Sequence, residues 1–145
     1  MFTHLLLPTD GTHLSRAAIR KGMLLAKALN ARLTAITVIP EEHHQLYQAD
    51  ITTQAKQETE RHYRAEVERR LAAVHKEAGD AGVRCETLCE RSDHPYEAII
   101  AAAGKYNCDL IVMASHGRRG VTGLLIGSET QKVLTHSKIP VLVVR

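Results

Sequence analysis

A glycine-rich segment near the C-terminus holds the residues with the clearest chemical potential. It contains Ala114-Ser115-His116-Gly117-Arg118-Arg119-Gly120 and, after a short interval, Gly127-Ser128-Glu129-Thr130. Glycines let a ligand approach the main chain closely, so backbone N–H groups and the positive end of a following helix can hold a phosphate there. The Ser128 hydroxyl and the Arg118 guanidinium suit the same ligand. The spacing therefore predicts an anion-binding loop.

The two common phosphate-loop patterns do not occur. The sequence has no G-x-x-x-x-G-K-[ST], and no G-x-G-x-x-G follows the first predicted strand. A P-loop nucleoside triphosphatase and an ordinary dinucleotide-binding domain are thereby excluded. In an alternative interpretation the glycines only make a tight connection, and Ser128 with Gln131 forms a capping box. Both interpretations stay open, because a cap and a phosphate use different N–H groups.

Nine histidines raise the hypothesis of a metal site. His43 and His44 are adjacent, so their side chains diverge, and His62 and His75 are thirteen residues apart on a predicted helix. None of these four histidines has a Cys, Asp or further His at the usual short ligand spacing. The sequence does not predict a dedicated metal site.

Nucleophilic catalysis is not predicted either. No G-x-S-x-G elbow is present. Ser115 and His116 are neighbours in sequence, which is poor geometry for a nucleophile and its base. His116 can instead touch phosphate or bond to the backbone. Glu41 and Glu42 lie in a polar, His-rich loop over residues 41–50, which is a lid or a partner surface.

Short apolar runs, typical of strands, alternate along the chain with segments of helical periodicity. This order predicts a single α/β domain over residues 1–145. The predicted strands are His4–Leu7, Arg32–Ile39, Val83–Glu90, Asp109–Ala114 and Pro140–Val144, and the predicted helices include Thr52–Ala78, Pro95–Lys105 and Ser128–His136. Strands that are apolar throughout belong to a parallel sheet covered on both faces. Ligands bind beyond the strand C-termini where the strand order reverses. The loops after the first and fourth strands are expected to meet there.

The amino-acid composition limits the kinds of partner and the cellular compartment that are expected. The chain has 145 residues, a formal net charge of +3, no Trp and one Phe, so a nucleic-acid surface with stacking aromatic residues is not expected. The opening residues contain neither a basic signal region nor a long apolar run, which predicts a cytoplasmic protein with no membrane span. Three cysteines in such a chain are expected to be reduced thiols.

Three motifs together resemble the universal stress protein family. They are Leu5-Leu6-Leu7-Pro8-Thr9-Asp10-Gly11, then Met113-Ala114-Ser115-His116-Gly117 followed after nine residues by Gly127-Ser128, and last Ile139-Pro140-Val141-Leu142-Val143-Val144. The resemblance covers the whole chain. It implies a three-layer α/β/α sandwich with a five-stranded parallel sheet in the order 3-2-1-4-5, a Rossmann-like fold of the adenine nucleotide alpha hydrolase type.

The same resemblance implies a site for ATP. Members that bind ATP follow G-x-x-G, nine residues, G-[ST], and this chain has Ala114 where the first glycine belongs. One methyl group is tolerated where φ is negative, so ATP stays the expected ligand. The implied nucleotide-binding residues are Pro8, Thr9, Asp10, Val38, Met113, Ala114, Ser115, His116, Gly117, Arg118, Gly127, Ser128, Glu129 and Thr130.

Within that implied site, Pro8, Thr9 and Asp10 line the ribose and adenine side, and Val38 offers its backbone to adenine. The turn from Gly127 to Thr130 cradles the phosphates. Asp10 has three interpretations: it accepts hydrogen bonds from the ribose, holds a Mg²⁺ ion with the nucleotide, or only places a negative charge at a helix N-terminus.

The last strand implies a second partner. Val141, Leu142, Val143 and Val144 form an apolar strand at a sheet edge, and an open edge invites pairing with a second copy. Homodimerisation through this strand is therefore expected. The predicted function is a stress-response or signalling module that binds an adenine nucleotide and hydrolyses it slowly at most. The alternative is a dimeric interaction module of the same fold that binds no nucleotide.

Overall fold

The computed structural model describes residues 1–41, 52–116 and 125–145. In these ranges strands and helices alternate as β1 (His4–Pro8), α1 (His13–Leu29), β2 (Arg32–Ile39), α2 (Thr53–Asp80), β3 (Cys85–Arg91), α3 (Pro95–Lys105), β4 (Leu110–Ala114), α4 (Ser128–His136) and β5 (Val141–Val144). Most of the predicted His-rich loop lies outside the described residues, as do Gly117 and Arg118 of the predicted site.

All five strands are parallel, and their order is β3-β2-β1-β4-β5. The predicted sheet and its 3-2-1-4-5 order are thus confirmed. Leu5, Leu6 and Leu7 in the central strand are all fully buried, because helices cover both faces. Leu5 and Leu7 pack under α1 and α2, whereas Leu6 packs under α3 and α4. Among the described residues, no helix has both the length and the apolar character needed to cross a membrane.

Helix α2 covers the sheet with only its C-terminal half. Its buried residues are Val67, Leu71, Val74 and Ala78. In the sequence, the apolar positions of this helix step by threes and fours from Ala55 to Ala78, which predicts one buried stripe. The predicted start of this stripe is wrong, since Ala55 is half-buried and Thr59 is exposed. A helix of 28 residues is about 42 Å long, whereas the longest strand spans about 26 Å. The first turns of α2 therefore extend past the C-terminal edge of the sheet.

The connection from α2 to β3 differs slightly from the prediction. Gly82 has φ of 75° and follows the helix end, and the Val83 N–H donates to the Ala78 carbonyl at 2.9 Å. This left-handed residue closes the helix in the manner that favours glycine. Because Val83 takes part in the closure, β3 begins at Cys85 rather than at Val83.

His4 is a buried polar residue at the opposite end of the sheet from the predicted site. Its side chain is 3% exposed, and Nε2 lies 2.7 Å from Thr34 Oγ1. Burial lowers the pKa of His4 below its ordinary value of 6.5, and the positive charge of Arg32 adds to the effect. The backbone of Tyr106 and the carboxylates of Glu86 and Asp109 act in the opposite direction without outweighing it.

We expect His4 to make the protein less stable as the pH falls below 6.5. The unfolded chain takes up a proton there while folded His4 stays neutral, so the free energy of unfolding decreases until the pH reaches the lowered pKa. One such group changes this free energy by at most about 1.4 kcal/mol per pH unit. Urea unfolding between pH 5.5 and 8.5 tests this: His4→Gln should flatten the slope below pH 6.5 and leave it unchanged above pH 7.5.

Asp109, which contacts the backbone of His4, does not contribute to the pH dependence of the unfolding free energy in this experiment. Its carboxylate accepts hydrogen bonds from the backbone amides of Thr3 at 2.8 Å and His4 at 3.0 Å. Burial acts to raise the pKa of Asp109, but these bonds outweigh it and hold the pKa below the ordinary 3.8. The carboxylate therefore stays ionised over the pH range of the His4 experiment. A slope below pH 6.5 that is the same in His4→Gln and the wild type would contradict the assignment to His4.

Candidate functional site

The candidate site lies beyond the C-terminal ends of β1 and β4. These strands are neighbours in the sheet, with Leu5 beside Leu110 and Leu6 beside Ile111. The chain leaves β1 for α1 on one face and leaves β4 for α4 on the other. A crevice at such a reversal of strand order is the usual ligand position in open α/β sheets. The two strand ends from which the predicted loops begin are therefore adjacent.

Thr9 fixes the turn after β1. Its N–H donates to the Ile36 carbonyl at 2.8 Å, and its own carbonyl accepts from Thr37 Oγ1 at 3.0 Å. Its hydroxyl shares a hydrogen bond with Ser15 Oγ at 3.2 Å and accepts from the Gly11 N–H at 3.3 Å. Every polar group of this buried residue is thus bonded. Thr9 shapes the turn, and the contributions of Thr37 and Ser15 were not predicted.

Asp10 organises the start of α1. Its Oδ1 accepts from the Thr12 N–H at 3.0 Å and from Thr12 Oγ1 at 2.7 Å. Thr12 is the N-cap residue of α1, and its Oγ1 accepts in turn from the Ser15 N–H at 3.2 Å. The charge of Asp10 therefore lies beside the positive end of a helix, as one of its three interpretations requires. The carboxylate is half-buried at the crevice.

The Arg70 side chain of α2 packs against this turn at Gly11. Gly11 has φ of 79°, and a Cβ atom built on it would lie 2.3 Å from Arg70 Nε. The guanidinium is held in place by Glu66, whose Oε1 lies 3.0 Å from Nη2, and only 15% of the Arg70 side chain is exposed. No sequence pattern predicts this contact, because it joins residues far apart in the chain.

The end of β4 is bonded to the start of α4. The Gly127 N–H donates to the Ser115 carbonyl at 2.7 Å, and Thr130 Oγ1 donates to the Ala114 carbonyl at 2.9 Å. The Ser115 N–H donates to the Val144 carbonyl at 2.9 Å, which joins β5 to the same point. The first turn of α4 is therefore anchored directly above the sheet.

Ala114 causes no backbone strain at the position of the family's first glycine. Among the described non-glycine residues, only Asn30 and Asn107 have positive φ. Ala114 is 7% exposed and belongs to the core cluster under α1 and α2. Its methyl group is thus accommodated by core packing.

The first turn of α4 presents backbone N–H groups at the crevice. Gly127 is its N-cap with φ of −60° and ψ of 150°, and the first intrahelical bond runs from the Gln131 N–H to the Gly127 carbonyl at 2.9 Å. The N–H groups of Ser128, Glu129 and Thr130 precede that bond, and no described side chain caps them. The capping-box interpretation is wrong, because the helix begins one residue too early for Ser128 to be the N-cap.

The side chains in this turn have different roles. Ser128 is exposed, so its hydroxyl is available to a ligand. Thr130 is 3% exposed and its hydroxyl is bonded to β4, which leaves its backbone as the part that can bind phosphate. The Glu129 carboxylate is directed to α3, where its Oε2 accepts from the Tyr96 N–H at 2.9 Å.

The side chains of Ser115 and His116 meet, although residues adjacent in sequence were expected to make a poor pair. Ser115 Oγ lies 3.1 Å from His116 Nδ1, within hydrogen-bond distance. The expectation of poor geometry is to that extent wrong. Ser115 is only 4% exposed, however, so its hydroxyl is poorly placed to attack a bound ligand. The contact orients the half-buried His116 ring at the mouth of the predicted loop.

Val38 and Met113 lie on the same side of the sheet. Val38 is the penultimate residue of β2 and is half-buried, and Met113 is 6% exposed. Both pack in the cluster under α3 and α4. Within the described parts of the chain, no group of three or more His, Cys, Asp or Glu residues could hold a metal ion.

Several known proteins are similar to this chain in sequence and in fold. The model of the universal stress protein family matches residues 1–145. A universal stress protein of Methanocaldococcus jannaschii is 29% identical over 145 residues, which cover 100% of this chain and 83% of the relative. The structure of the hypothetical protein MJ0577 has a TM-score of 0.83 at 25% identity, covering 99% of this chain and 96% of that one. A universal stress protein in complex with cAMP has a TM-score of 0.73 at 25% identity, covering 99% and 97%.

Proposed function

Since the chain belongs to the universal stress protein family, we propose that it binds an adenine nucleotide in the crevice between β1 and β4. The observation that carries this proposal is the first turn of α4. Its three N–H groups, from Ser128 to Thr130, precede the intrahelical ladder and stand at the C-terminal end of β4. Such a turn attracts anions through both its N–H groups and its helix dipole.

The neighbouring turn suits the nucleoside. Pro8 and Asp10 follow β1, and the half-buried Asp10 can accept from ribose hydroxyls. Val38 stands at the end of the adjacent β2 and offers an apolar surface and a backbone to adenine. A relative of similar fold is known in complex with cAMP, which supports an adenine ligand. ATP is the proposed ligand because the α4 turn and the Ser128 hydroxyl can hold more than one phosphate.

The protein acts as a binding or signalling module in a stress response. The Ser115 hydroxyl is bonded to His116 and almost fully buried, which does not favour an attack on a phosphate. ATP hydrolysis should therefore be slow, well below the rate of about 1 per second or more that ordinary enzymes reach.

Homodimerisation through β5 is part of this proposal. β5 pairs with β4 on one side and forms an edge of the described sheet. Leu142 on this strand is 43% exposed, which is high for a leucine within a strand. Pairing with a second β5 would satisfy the open edge and cover this side chain. The mass of the protein in solution, measured by sedimentation equilibrium, tests the dimer.

Titration calorimetry with ATP, and with AMP as a control, tests the nucleotide site. We expect a Kd on the order of micromolar for ATP with Mg²⁺ and weaker binding of AMP, because AMP offers only one phosphate to the α4 turn. Equal affinities would place the phosphates away from α4. The absence of both heat and thermal stabilisation with either nucleotide would favour the non-nucleotide interaction module.

Asp10→Asn should separate the possible roles of this carboxylate. The asparagine keeps the oxygen that accepts from Thr12 and removes the charge that would attract Mg²⁺. We expect ATP affinity to fall about tenfold with Mg²⁺ and less than about twofold without it, since an amide is a poorer ligand for a hard cation. The measurement is a pair of titrations with Mg²⁺ and with EDTA. An equal loss under both conditions would assign Asp10 to the ribose.

A further inference from the structure

One stripe of α4 packs against Tyr96 at the start of α3. Glu129 Oε2 accepts from the Tyr96 N–H at 2.9 Å, and Glu129 Oε1 lies 2.9 Å from Lys132 Nζ. Lys132 Nζ stands 5.4 Å from the centre of the Tyr96 ring, and the His136 ring lies 5.3 Å from it. The stripe runs the length of α4 and joins it to the N-terminal end of α3, and Glu129, in the first turn of α4, is its member nearest to the crevice.

The start of α3 needs an acceptor from elsewhere in the fold. Its N-cap residue His94 makes no side-chain capping bond, and Pro95 at the first position has no N–H group. Tyr96 is therefore the first residue of α3 with an N–H group to satisfy, and the Glu129 carboxylate accepts it. A negative charge at this point is also favoured by the dipole of α3.

The Glu129 bond completes a set of attachments around the first turn of α4. On the side of the sheet, the turn is bonded to β4 through Gly127 and Thr130. On the outer side, Glu129 bonds it to α3. We propose that the Glu129 side chain has a positioning role: it holds the N–H groups of this turn, that of Glu129 included, in place for phosphate, while the carboxylate itself does not touch the ligand. The inference rests on the proposed function for the identity of that ligand.

Charge and attachment predict opposite effects on affinity. A carboxylate in the phosphate-binding turn repels phosphate, so removing only its charge should leave binding unchanged or strengthen it. Losing the attachment should weaken binding, because the turn must then be ordered by the ligand. Glu129→Gln removes the charge but keeps an acceptor for the Tyr96 N–H, whereas Glu129→Ala removes both.

We expect Glu129→Ala to bind ATP about fivefold more weakly than the wild type, which is the scale of a lost capping bond. Glu129→Gln should bind at least as tightly as the wild type. Glu97→Ala is the matched control, because the Glu97 carboxylate accepts from the Tyr96 hydroxyl at 2.8 Å within α3 and should leave affinity unchanged. If Glu129→Ala binds as tightly as Glu129→Gln, Glu129 does not position the turn.

Amide hydrogen exchange tests the attachment without nucleotide. In Glu129→Ala we expect faster exchange of the Gln131 and Gly127 N–H groups, which bond the turn to itself and to β4. Glu129→Gln and Glu97→Ala should keep wild-type rates at both. Unchanged exchange in Glu129→Ala would overturn the inference whether or not ATP binds. Faster exchange in a protein whose wild type binds no ATP would instead reject the proposed function and retain the attachment.

Discussion

Replacing Gly127 with valine is expected to abolish detectable ATP binding while the protein stays folded. The side chain of an N-cap residue lies over the N–H groups of the second and third helical residues, which is why serine and aspartate cap helices. In α4 those N–H groups belong to Glu129 and Thr130, where the phosphate is proposed to bind. A branched valine side chain would occupy that position. We expect affinity to fall by on the order of 1,000-fold, which puts a micromolar site beyond detection, because two charge-assisted hydrogen bonds of about 1.5–3 kcal/mol each are lost.

The fold should tolerate this change. Gly127 has φ of −60° and ψ of 150°, a conformation open to any residue. Valine at an N-cap should decrease the free energy of unfolding by about 1 kcal/mol or less relative to glycine. The matched control is Gly104→Val, since a Cβ atom at this exposed glycine of α3 would meet no atom within 4 Å. Its ATP affinity should equal that of the wild type, measured by the same calorimetry.

Gly127→Asp provides a second comparison at the same position. Aspartate caps helices well, so this variant should unfold at a higher temperature or urea concentration than Gly127→Val. Its carboxylate would nevertheless compete with phosphate for the same N–H groups, and ATP should bind poorly. Wild-type ATP affinity in both Gly127 variants would remove the first turn of α4 from the site.

The sequence predicts the sheet well because burial on both faces leaves a clear pattern. Leu5 to Leu7 form an unbroken apolar run, and such a run between turn residues is typical of a central parallel strand. The sequence does not predict that α2 extends past the sheet. The apolar positions of α2 begin at Ala55, whereas the sheet covers the helix only from a later turn onward. A periodic pattern indicates which side of a helix is apolar, but it does not indicate where the neighbouring layer ends.

The candidate site could be predicted only in its local features. The turn from Thr9 to Gly11 directly follows β1, and Gly127 and Ser128 begin the helix that follows β4, so the order of elements in the sequence is enough to place both at the ends of neighbouring strands. The capping box failed because the Gly127 carbonyl accepts from the Gln131 N–H, which makes Gly127 the N-cap. The Gly127 N–H is bonded to the Ser115 carbonyl, a contact across the connection from β4, so the spacing of Ser128 and Gln131 alone could not reveal where α4 begins.

Contacts between distant segments were beyond sequence reasoning. Glu129 was predicted to cradle phosphate, but its carboxylate bonds to Tyr96, 33 residues earlier in the chain. Arg70 is one of many charged residues in α2, so the sequence does not single it out, yet its guanidinium packs against Gly11. In both cases the partner is fixed by helix packing, which depends on the tertiary structure.

Replacing Gly11 with alanine is expected to destabilise the protein by about 2 kcal/mol, since left-handed φ is unfavourable for alanine by roughly 1 kcal/mol or more and the new methyl group must also displace Arg70. The displaced guanidinium would lose its packing under the turn and its contact with Glu66. Because Gly11 adjoins Asp10, the shift should weaken ATP binding as well. Urea unfolding and calorimetry measure the two effects.

A double-mutant cycle with Arg70→Ala separates the two causes of this destabilisation. In the Arg70→Ala background the clash is absent, so Gly11→Ala should retain only the penalty for its φ of 79°. We expect the two substitutions to be non-additive by about 1 kcal/mol, the usual scale for residues in contact. Additive effects would show that Arg70 does not press on the turn. Non-additive stability, together with partial recovery of ATP affinity in the double variant, would establish that α2 supports the nucleotide site through this contact.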